Sequence, residues 1–431
     1  MLCLPLKDNI ERRKREKTFL LNLCLQAALH EKGSIQTTVE KVLSLSKVYR
    51  FQKCDFLLDL YSHVKDYETQ TGRSVFPALQ PVYQSASPAV WSIDLSERKA
   101  SLLLEVLKLQ PEKKPVELKG WSDEESEVRS FLQCLSYISQ LSFCPRRSDP
   151  SKRIKFLVDL LSQAAEWEEQ TGEKTLKLVS SVWTYSTFPF PNGDNSEQSD
   201  FLLDLYSHVK DYETQTGRSV LPALQPVYQS ASPAVWSIDL SERKASLLLE
   251  VLKLQPEKKP VELKGWSDEE SEVRSFLQCL PYISQLSFCP RRSDPSKQIK
   301  FLVDLLSQAA EWEEQTGEKT LKLVSSVCTY STFPFPNGDN SKQSDFLLDL
   351  YSHVKDYEIQ TGRSFLPALQ TVYQSAPAVW SIDLSERKAS LLLEVLKLQP
   401  EKKPVELKGW YDEEREVRSF LQCLSYISQL R

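Results

Sequence analysis

The stretch FLQCLPYISQLSF (276–288) combines the two periodicities that decide the fold of this chain. Its first half continues a helical pattern of apolar residues, whereas its second half, YISQLSF (282–288), has the short, β-prone pattern of a strand. The same stretch recurs almost unchanged at 131–143 and 420–430. A helix that leads into a strand is therefore a unit that the sequence uses repeatedly.

The unit belongs to a longer repeat of 145 residues, which is marked by DFLLDLYSHVKDYE starting at Asp55, Asp200 and Asp345. The first two full copies differ at five positions. Self-similarity of this kind is the signature of a repeat architecture. The 431 residues divide into a diverged partial repeat that forms an N-terminal cap, two complete blocks and a truncated third block: 1–54, 55–199, 200–344 and 345–431.

An older repeat lies inside each block. The helical patterns at 201–217 and 301–317 share Phe-Leu-x-Asp-Leu-x-Ser and end in Glu-x-Gln-Thr-Gly. A glycine just past a helical pattern predicts a residue with positive φ that closes the last turn. The segment 19–28 matches 301–310 residue for residue in pattern, so it is interpreted as a diverged copy of the same helix.

Two further helix starts carry recognisable signals. Ser267 is followed three residues later by Glu270, which predicts a capping box. Asp294 precedes Pro295, which predicts a capped helix with proline at its first position.

Short β-prone segments separate the helices: AVWSIDLS (234–241), PVELKGW (260–266), YISQLSF (282–288) and TYSTFPF (329–335). Strands that alternate with helices pair in parallel through helical crossovers. We therefore expect a helix-rich α/β fold, a solenoid of helices and short parallel strands with an irregular repeat length. The alternative is an all-helical repeat scaffold or adaptor in which these segments are extended linkers without a strand ladder.

The sequence LPYISQLSF (280–288), after the helix EVRSFLQC, resembles a leucine-rich repeat of the ribonuclease-inhibitor type, whose strand reads L-x-x-L-x-L. The sequence of residues 258–288 is also similar to the repeat region of NOD-like receptor proteins of bony fish. Arg243, Trp266 and Arg291 stand where that repeat family has Asn or Cys. A regular horseshoe and a continuous strand ladder are therefore not expected.

The resemblance implies a non-enzymatic scaffold for protein–protein interaction, related to the ligand-sensing or regulatory region of innate immune receptors that act in signal transduction. In that family, residues that flank the inward leucines of each strand face the ligand. The corresponding residues here form the predicted concave binding face for a protein or peptide: Asp94, Glu117, Lys119, Gln140, Asp239, Glu262, Lys264, Gln285, Asp383, Glu406 and Lys408.

Catalysis by the recurring cysteine, Cys134, Cys279 or Cys423, is the third hypothesis. A reactive thiol needs a lowered pKa, whereas a cysteine in the last turn of a helix lies at the unfavourable end of the helix dipole. Such a cysteine is instead expected to act as a small apolar residue. The recurring histidines and the acidic run at 268–270 are interpreted as helix-surface and helix-capping residues, and the recurring tryptophans as core residues.

Motif searching in the sequence finds no G-x-x-x-x-G-K-[ST] loop and no metal-ligand spacing, so neither a nucleotide nor a metal cofactor is expected. A net charge of −5 argues against nucleic acid as a partner. The basic run RRKREK (12–17) is interpreted as the solvated start of a helix, with a nuclear-import signal as the alternative.

No segment has the length and apolarity of a membrane span. Nine cysteines without C-x-x-C pairs favour free thiols and a cytoplasmic location. The last block stops at Arg431, inside a predicted strand and without a capping repeat. We therefore expect either a truncated array or self-association through the uncapped C-terminal repeat.

Overall fold

The computed structural model describes residues 4–30, 35–44, 53–85, 88–120, 122, 124–143, 150–182, 195–230, 233–265, 267–288, 295–328, 340–375, 377–386, 388–409 and 413–431. The chain forms two compact units. One contains residues 1–192 and 207–231, and the other contains residues 193–206 and 232–431.

Groups of consecutive helices alternate with segments that contain short strands along the described chain. Up to the end of the first block the elements are α1 (Leu4–His30), α2 (Ile35–Ser44), α3 (Lys53–Thr71), α4 (Phe76–Ser85), β1 (Trp91–Asp94), α5 (Ala100–Lys108), β2 (Lys114–Gly120), α6 (Glu125–Cys134), β3 (Ile138–Phe143), α7 (Pro150–Thr171) and α8 (Thr175–Val182). The next elements are α9 (Asn195–Thr216), α10 (Leu221–Ser230), β4 (Trp236–Asp239), α11 (Ala245–Lys253), β5 (Lys259–Gly265), α12 (Glu270–Leu277), β6 (Ile283–Phe288), α13 (Pro295–Thr316) and α14 (Thr320–Val327). The last block contains α15 (Asn340–Thr361), α16 (Leu366–Ser375), β7 (Trp380–Asp383), α17 (Ala389–Lys397), β8 (Lys403–Gly409), α18 (Glu414–Cys423) and β9 (Ile427–Leu430).

Two kinds of substructure result. A helical hairpin is a pair of consecutive helices that are separated by a short connection, such as α13–α14. A sheet module is a β-α-β-α-β segment, and the three modules cover residues 91–143, 236–288 and 380–430. Short 3₁₀ turns such as Leu280–Tyr282 connect helix to strand inside each module. The class defined by these elements is a helix-rich α/β protein with short parallel strands.

Five hairpins, those that begin with α3, α7, α9, α13 and α15, are closed by the repeated motif Glu-x-Gln-Thr-Gly. The Glu213 side chain accepts hydrogen bonds from the backbone N–H groups of Val220 (2.6 Å) and Leu221 (2.7 Å). It thereby satisfies donors at the start of the following helix. Gly217 has φ of 71°, which confirms the predicted helix-ending glycine. The older internal repeat therefore encodes a tight turn between two consecutive helices.

Every sheet module contains three parallel strands in sequential order. In the second module Trp236 pairs with Val261, and Val261 pairs with Leu286. These three side chains are buried and form the first row of the core, which confirms the strands predicted at 234–241, 260–266 and 282–288. The strand predicted at 329–335 lies outside the described residues.

One edge of each sheet is closed by a side chain from a neighbouring helix. The backbone N–H of Ser237 in β4 donates to Ser199 Oγ in α9 (2.9 Å), and Ser381 and Ser344 repeat the contact at 2.9 Å. An edge donor that is occupied by a side chain is not available to a further strand. The described strands form three separate sheets, so the expected absence of a continuous strand ladder is confirmed for them. The all-helical alternative is wrong, because parallel strands are present, while the solenoid stays a prediction.

The two predicted helix starts have different outcomes. Helix α13 begins at Pro295, as predicted, while Asp294 lies outside the described residues. The capping box at Ser267 is wrong, because α12 begins only at Glu270 and Ser267 Oγ accepts instead from the N–H of Glu269 (3.1 Å). Glu272, which also belongs to α12, instead caps the start of helix α11.

A buried contact joins the two helices of each sheet module. Glu272 in α12 accepts a hydrogen bond from the N–H of Ala245, the first residue of α11, at 2.6 Å. Cys279 Sγ lies 3.6 Å from the carbonyl oxygen of the same residue and 3.6 Å from that of Ser275 in its own helix, and its one S–H can donate to either. The glutamate and the cysteine therefore both contact the first residue of α11. Glu127 with Cys134, and Glu416 with Cys423, make the same contacts.

The recurring tryptophans at the start of the first strand are core residues, as predicted. Trp91, Trp236 and Trp380 are fully buried. A second recurring set of tryptophans, which follow the glycine of KPVELKG at positions 121, 266 and 410, lies outside the described residues.

Candidate ligand-binding face

The side of each sheet that faces away from the row of Trp236, Val261 and Leu286 carries polar side chains in register, although Ser237 and Ser381 are themselves buried. In the second module Ser237 lies beside Glu262, and Glu262 lies beside Ser287. Ser237 Oγ donates to the Glu262 carboxylate at 3.1 Å, and in the first module Ser92 donates to Glu117 at 2.8 Å. These bonds fix the position of one glutamate in the centre of each of these two sheets.

The third sheet differs at this point. Ser381 Oγ is buried and has no hydrogen-bond partner among the described residues, so Glu406 is not held in the same way. The serines were not in the predicted set. They precede the isoleucine of Trp-Ser-Ile-Asp, and strict strand alternation would have placed them on the outward face.

The predicted aspartates serve mainly to build the sheet. Asp239 Oδ1 accepts from Ser241 N (2.9 Å) and Ser241 Oγ (2.6 Å), which caps the 3₁₀ turn that follows β4. A Cβ atom on Gly265 would lie 2.0 Å from the same oxygen, so only glycine fits beneath it. Hydrogen bonds from Ser385 lower the pKa of the corresponding Asp383. Asp94, Asp239 and Asp383 are thus already engaged by their own backbone.

The remaining predicted residues share the outward face of the sheet. Glu262 and Lys264 alternate with buried Val261 and Leu263 along β5, and Gln285 of β6 pairs with Pro260. Gln285 is exposed, whereas Glu262 and Lys264 are half-buried. Glu117, Lys119 and Gln140 repeat this arrangement in the first module. In the third module Glu406 and Lys408 also lie on this face, although Leu407 between them is only half-buried. The structure therefore brings together on one face the glutamate, lysine and glutamine of each module.

A lysine clamp lies beyond the end of the first strand in each module. Lys244 Nζ is 2.9 Å from Glu242, 3.1 Å from Asp204 and 3.7 Å from Asp200. Burial by itself lowers the pKa of Lys244, but its hydrogen bonds to Glu242 and Asp204 outweigh burial and raise the pKa. Lys99 and Lys388 occupy the same position. The clamp ties the sheet module to α9 and its counterparts, and sequence spacing could not reveal it.

The recurring cysteine has the properties of a core residue. Cys134, Cys279 and Cys423 are fully buried, and burial raises the pKa of all three thiols, that of Cys423 to about 12. A raised pKa keeps the thiol neutral, whereas a nucleophile or metal ligand needs the thiolate. This arrangement supports the interpretation of the cysteine as a small apolar residue.

His63, His208 and His353 lie on helix surfaces. His63 Nε2 is 2.8 Å from Asn22 Oδ1, and His353 Nδ1 is 2.8 Å from the carbonyl of Asp349. Within the described residues no group of three His, Cys, Asp or Glu side chains is placed to hold a metal ion. These positions are consistent with polar surface contacts.

A cavity of about 550 Å³ lies between the hairpins α1–α2 and α3–α4. Its lining includes Leu29, Ile35, Val75 and Pro77, and none of the lining residues is titratable. The cavity is lined by both apolar and polar residues, among them Gln36 and Ser74, and carries no acid–base group. Over the described residues, no helix has the length and apolar character required to cross a membrane.

The chain matches no protein-family model, no curated protein and no solved structure. The resemblance to leucine-rich repeats therefore stays a prediction from the residues quoted above.

Proposed function

We propose that this protein is a non-enzymatic scaffold for protein–protein interaction, similar to the leucine-rich-repeat region of NOD-like receptors, and that it binds a protein or peptide ligand. The observation that carries the proposal is the outward face of each sheet, where a glutamate and a lysine alternate along the central strand. A shallow face of mixed charge, presented several times along a repeat chain, suits an extended partner better than a small molecule.

The six cysteines within the described residues are free and buried. Unpaired thiols are usual in reducing compartments, which supports a cytoplasmic location for the scaffold. A sensing or regulatory role in innate immunity follows only from the resemblance and is part of the same proposal.

Charge reversal on the strand face tests the proposal. In the variant Glu262→Lys/Lys264→Glu the net charge is unchanged, and both side chains lie on the outward face. Affinity capture from cytosol with the full chain, quantified by mass spectrometry, should show at least one partner reduced about tenfold or more. Binding of that partner is then measured with the purified proteins.

The matched control is Glu257→Lys/Lys258→Glu, which reverses the same charges in the exposed loop before β5. The control should retain every partner. Asp239 is left intact, because its loss would disturb the 3₁₀ turn. Unchanged capture of all partners by the strand-face variant would contradict the assignment of this face.

A further inference from the structure

The same arginine follows the motif Gln-Thr-Gly in all three blocks, in the turn between the two helices of a hairpin. The three arginines are Arg73, Arg218 and Arg363. In each turn the N–H of the arginine donates to the hydroxyl of the threonine two residues earlier, at 3.3, 3.3 and 3.4 Å. The three side chains therefore leave the backbone from equivalent positions.

In the second and third blocks this arginine pairs with carboxylates of the hairpin that precedes it. Arg218 lies 2.8 Å from Glu166 and 3.1 Å from Glu169, which both belong to α7. Arg363 makes the equivalent two contacts with α13, at 3.2 and 2.9 Å. Both arginines are half-buried. The repeated packing of two hairpins thus includes a position for a carboxylate beside the arginine.

The first block retains the arginine but has a different residue at the position of the carboxylate. The sequence match between α1 and α13 places Leu29 at the position of Glu311. The connection that follows is also shorter, because α2 begins 6 residues after Leu29, whereas α14 begins 9 residues after Glu311. Arg73 is exposed and forms no ion pair with the part of the chain that the structure describes.

The cavity of about 550 Å³ between the hairpins α1–α2 and α3–α4 lies at this turn. Leu29 lines the cavity, as does Ser74, the residue directly after Arg73. Ala78, which also lines the cavity, is half-buried, whereas its counterpart Ala223 is buried. The volume is that of a small-molecule site, and such sites combine a mostly apolar lining with a few polar groups.

We propose that this cavity binds an amphipathic carboxylic acid, with the carboxylate paired to Arg73 and the apolar body in the cavity. The carboxylate takes the place that Glu166 fills beside Arg218 in the next block. Leu29, Ile35 and Val75 provide apolar contacts for the body of the ligand. A guanidinium holds a carboxylate through two parallel hydrogen bonds, which favours this ligand over a neutral one. The proposal does not depend on which partner the strand face binds.

Isothermal titration calorimetry of the full chain with decanoate tests the proposal, and 1-decanol is the uncharged comparison. Decanoate should bind at one site per chain, and 1-decanol should bind at least about tenfold more weakly, because it lacks the charge-assisted hydrogen bonds. The absence of saturable decanoate binding up to about 1 mM would overturn the proposal. Equal affinities for the two compounds would also overturn it, since Arg73 would then have no role.

Two variants locate the site. Leu29→Glu supplies the carboxylate that the first block lacks, so it should pair with Arg73 and reduce decanoate affinity about tenfold or more. Arg73→Gln should cause a similar loss for decanoate but leave 1-decanol binding unchanged within about twofold. Because Arg73 is exposed, Arg73→Gln should leave circular dichroism unchanged and keeps the test decisive should Leu29→Glu fail to fold. Full decanoate affinity in Arg73→Gln would overturn the proposal.

Arg218→Gln is the matched control, because it makes the same change of charge at the equivalent turn of the next block. Its guanidinium is already paired with Glu166 and Glu169, so decanoate affinity should stay within about twofold of the unmodified chain. A loss as large as that in Arg73→Gln would show that decanoate responds to overall charge, and would overturn the assignment to the first turn.

Discussion

The second sheet module and the third are built from nearly the same residues but have different surroundings. Between 236–286 and 380–430 only three positions differ. The buried contacts made by Glu272 and Cys279 recur at Glu416 and Cys423. Leu280 is nevertheless fully buried by the following hairpin, whereas Leu424 is exposed. The module therefore has an inner core that its own residues complete and an outer surface that depends on a neighbour.

The largest expected difference between the modules is at this leucine pair. Leu280→Ala should lower the local free energy of unfolding by about 2–5 kcal/mol, because it leaves a cavity under the hairpin. Leu424→Ala should cost about 0.5 kcal/mol or less, because the side chain already contacts solvent. Hydrogen exchange read on the peptides 276–288 and 420–431 measures both, since Pro281 makes their masses distinct.

Equal losses in the two variants would contradict the division into an inner core and a neighbour-dependent surface.

The glutamate caps should behave alike in both modules. Glu272→Ala and Glu416→Ala each leave the N–H of an alanine, Ala245 or Ala389, buried without a partner, at a cost of about 1–3 kcal/mol. The Gln variant at either position retains an acceptor and should recover most of that loss. The shift of the urea midpoint, followed by circular dichroism, provides the measurement. A cap that matters only in the second module would show that the hairpin also supports the inner core.

A smaller effect is expected where the glycine meets the capping aspartate. A Cβ atom on Gly265 would displace Asp239, so Gly265→Ala should cost about 0.5–2 kcal/mol through the lost cap. In the background Asp239→Ala, the same glycine change should cost almost nothing more, since the clash has gone. Strictly additive losses in this double-mutant cycle would refute the proposed clash. Gly409 with Asp383 should repeat the result in the third module.

The smallest expected effect concerns alkaline pH. Burial raises the pKa of Cys423 to about 12 in the folded chain, whereas its ordinary value is 9.0. The stability contributed by the neutral thiol is complete below pH 9.0 and is lost as the pH rises toward about 12. At about pH 9.5 the loss per cysteine should be about 0.8 kcal/mol relative to pH 8.

The variant Cys423→Ser has no thiol that ionises in this range. The free energy of unfolding from its urea midpoints should therefore fall less between pH 8 and about pH 9.5, by about 0.8 kcal/mol. Cys279→Ser should behave in the same way, because both thiols are fully buried. An unchanged pH dependence in both variants would mean that the thiols do not titrate on unfolding as expected.

The elements of the fold followed from sequence because their signals are local. Glycine after Gln-Thr, alternation in PVELKG and the apolar helix faces each depend on neighbours within a few residues. The paired helices and the β-α-β-α-β order could therefore be derived from repetition alone. The burial of Trp236 and of Cys279 also followed from pattern, since their positions recur beside apolar residues.

Contacts between distant residues could not be derived in this way. The local spacing indicated Glu270 as the capping glutamate, whereas Glu272 is the one that caps a helix, and it reaches Ala245, 27 residues earlier in the chain. The lysine clamp and the serine that closes the sheet edge likewise join residues about 40 positions apart. For the binding face, alternation predicted which side chains point outward. It could not show that Asp239 is already occupied by the turn that follows it.

The closing of five hairpins by a glutamate of their own first helix has a consequence for synthesis on the ribosome. Glu213 reaches N–H groups only 7 and 8 residues ahead, so the corner can form as soon as it leaves the exit tunnel. Hairpins of this kind form far faster than translation adds residues, at about 5–20 per second. Each copy is therefore committed to its own partners before a nearly identical copy emerges, whereas refolding from urea confronts all copies at once and allows exchanged pairings to compete.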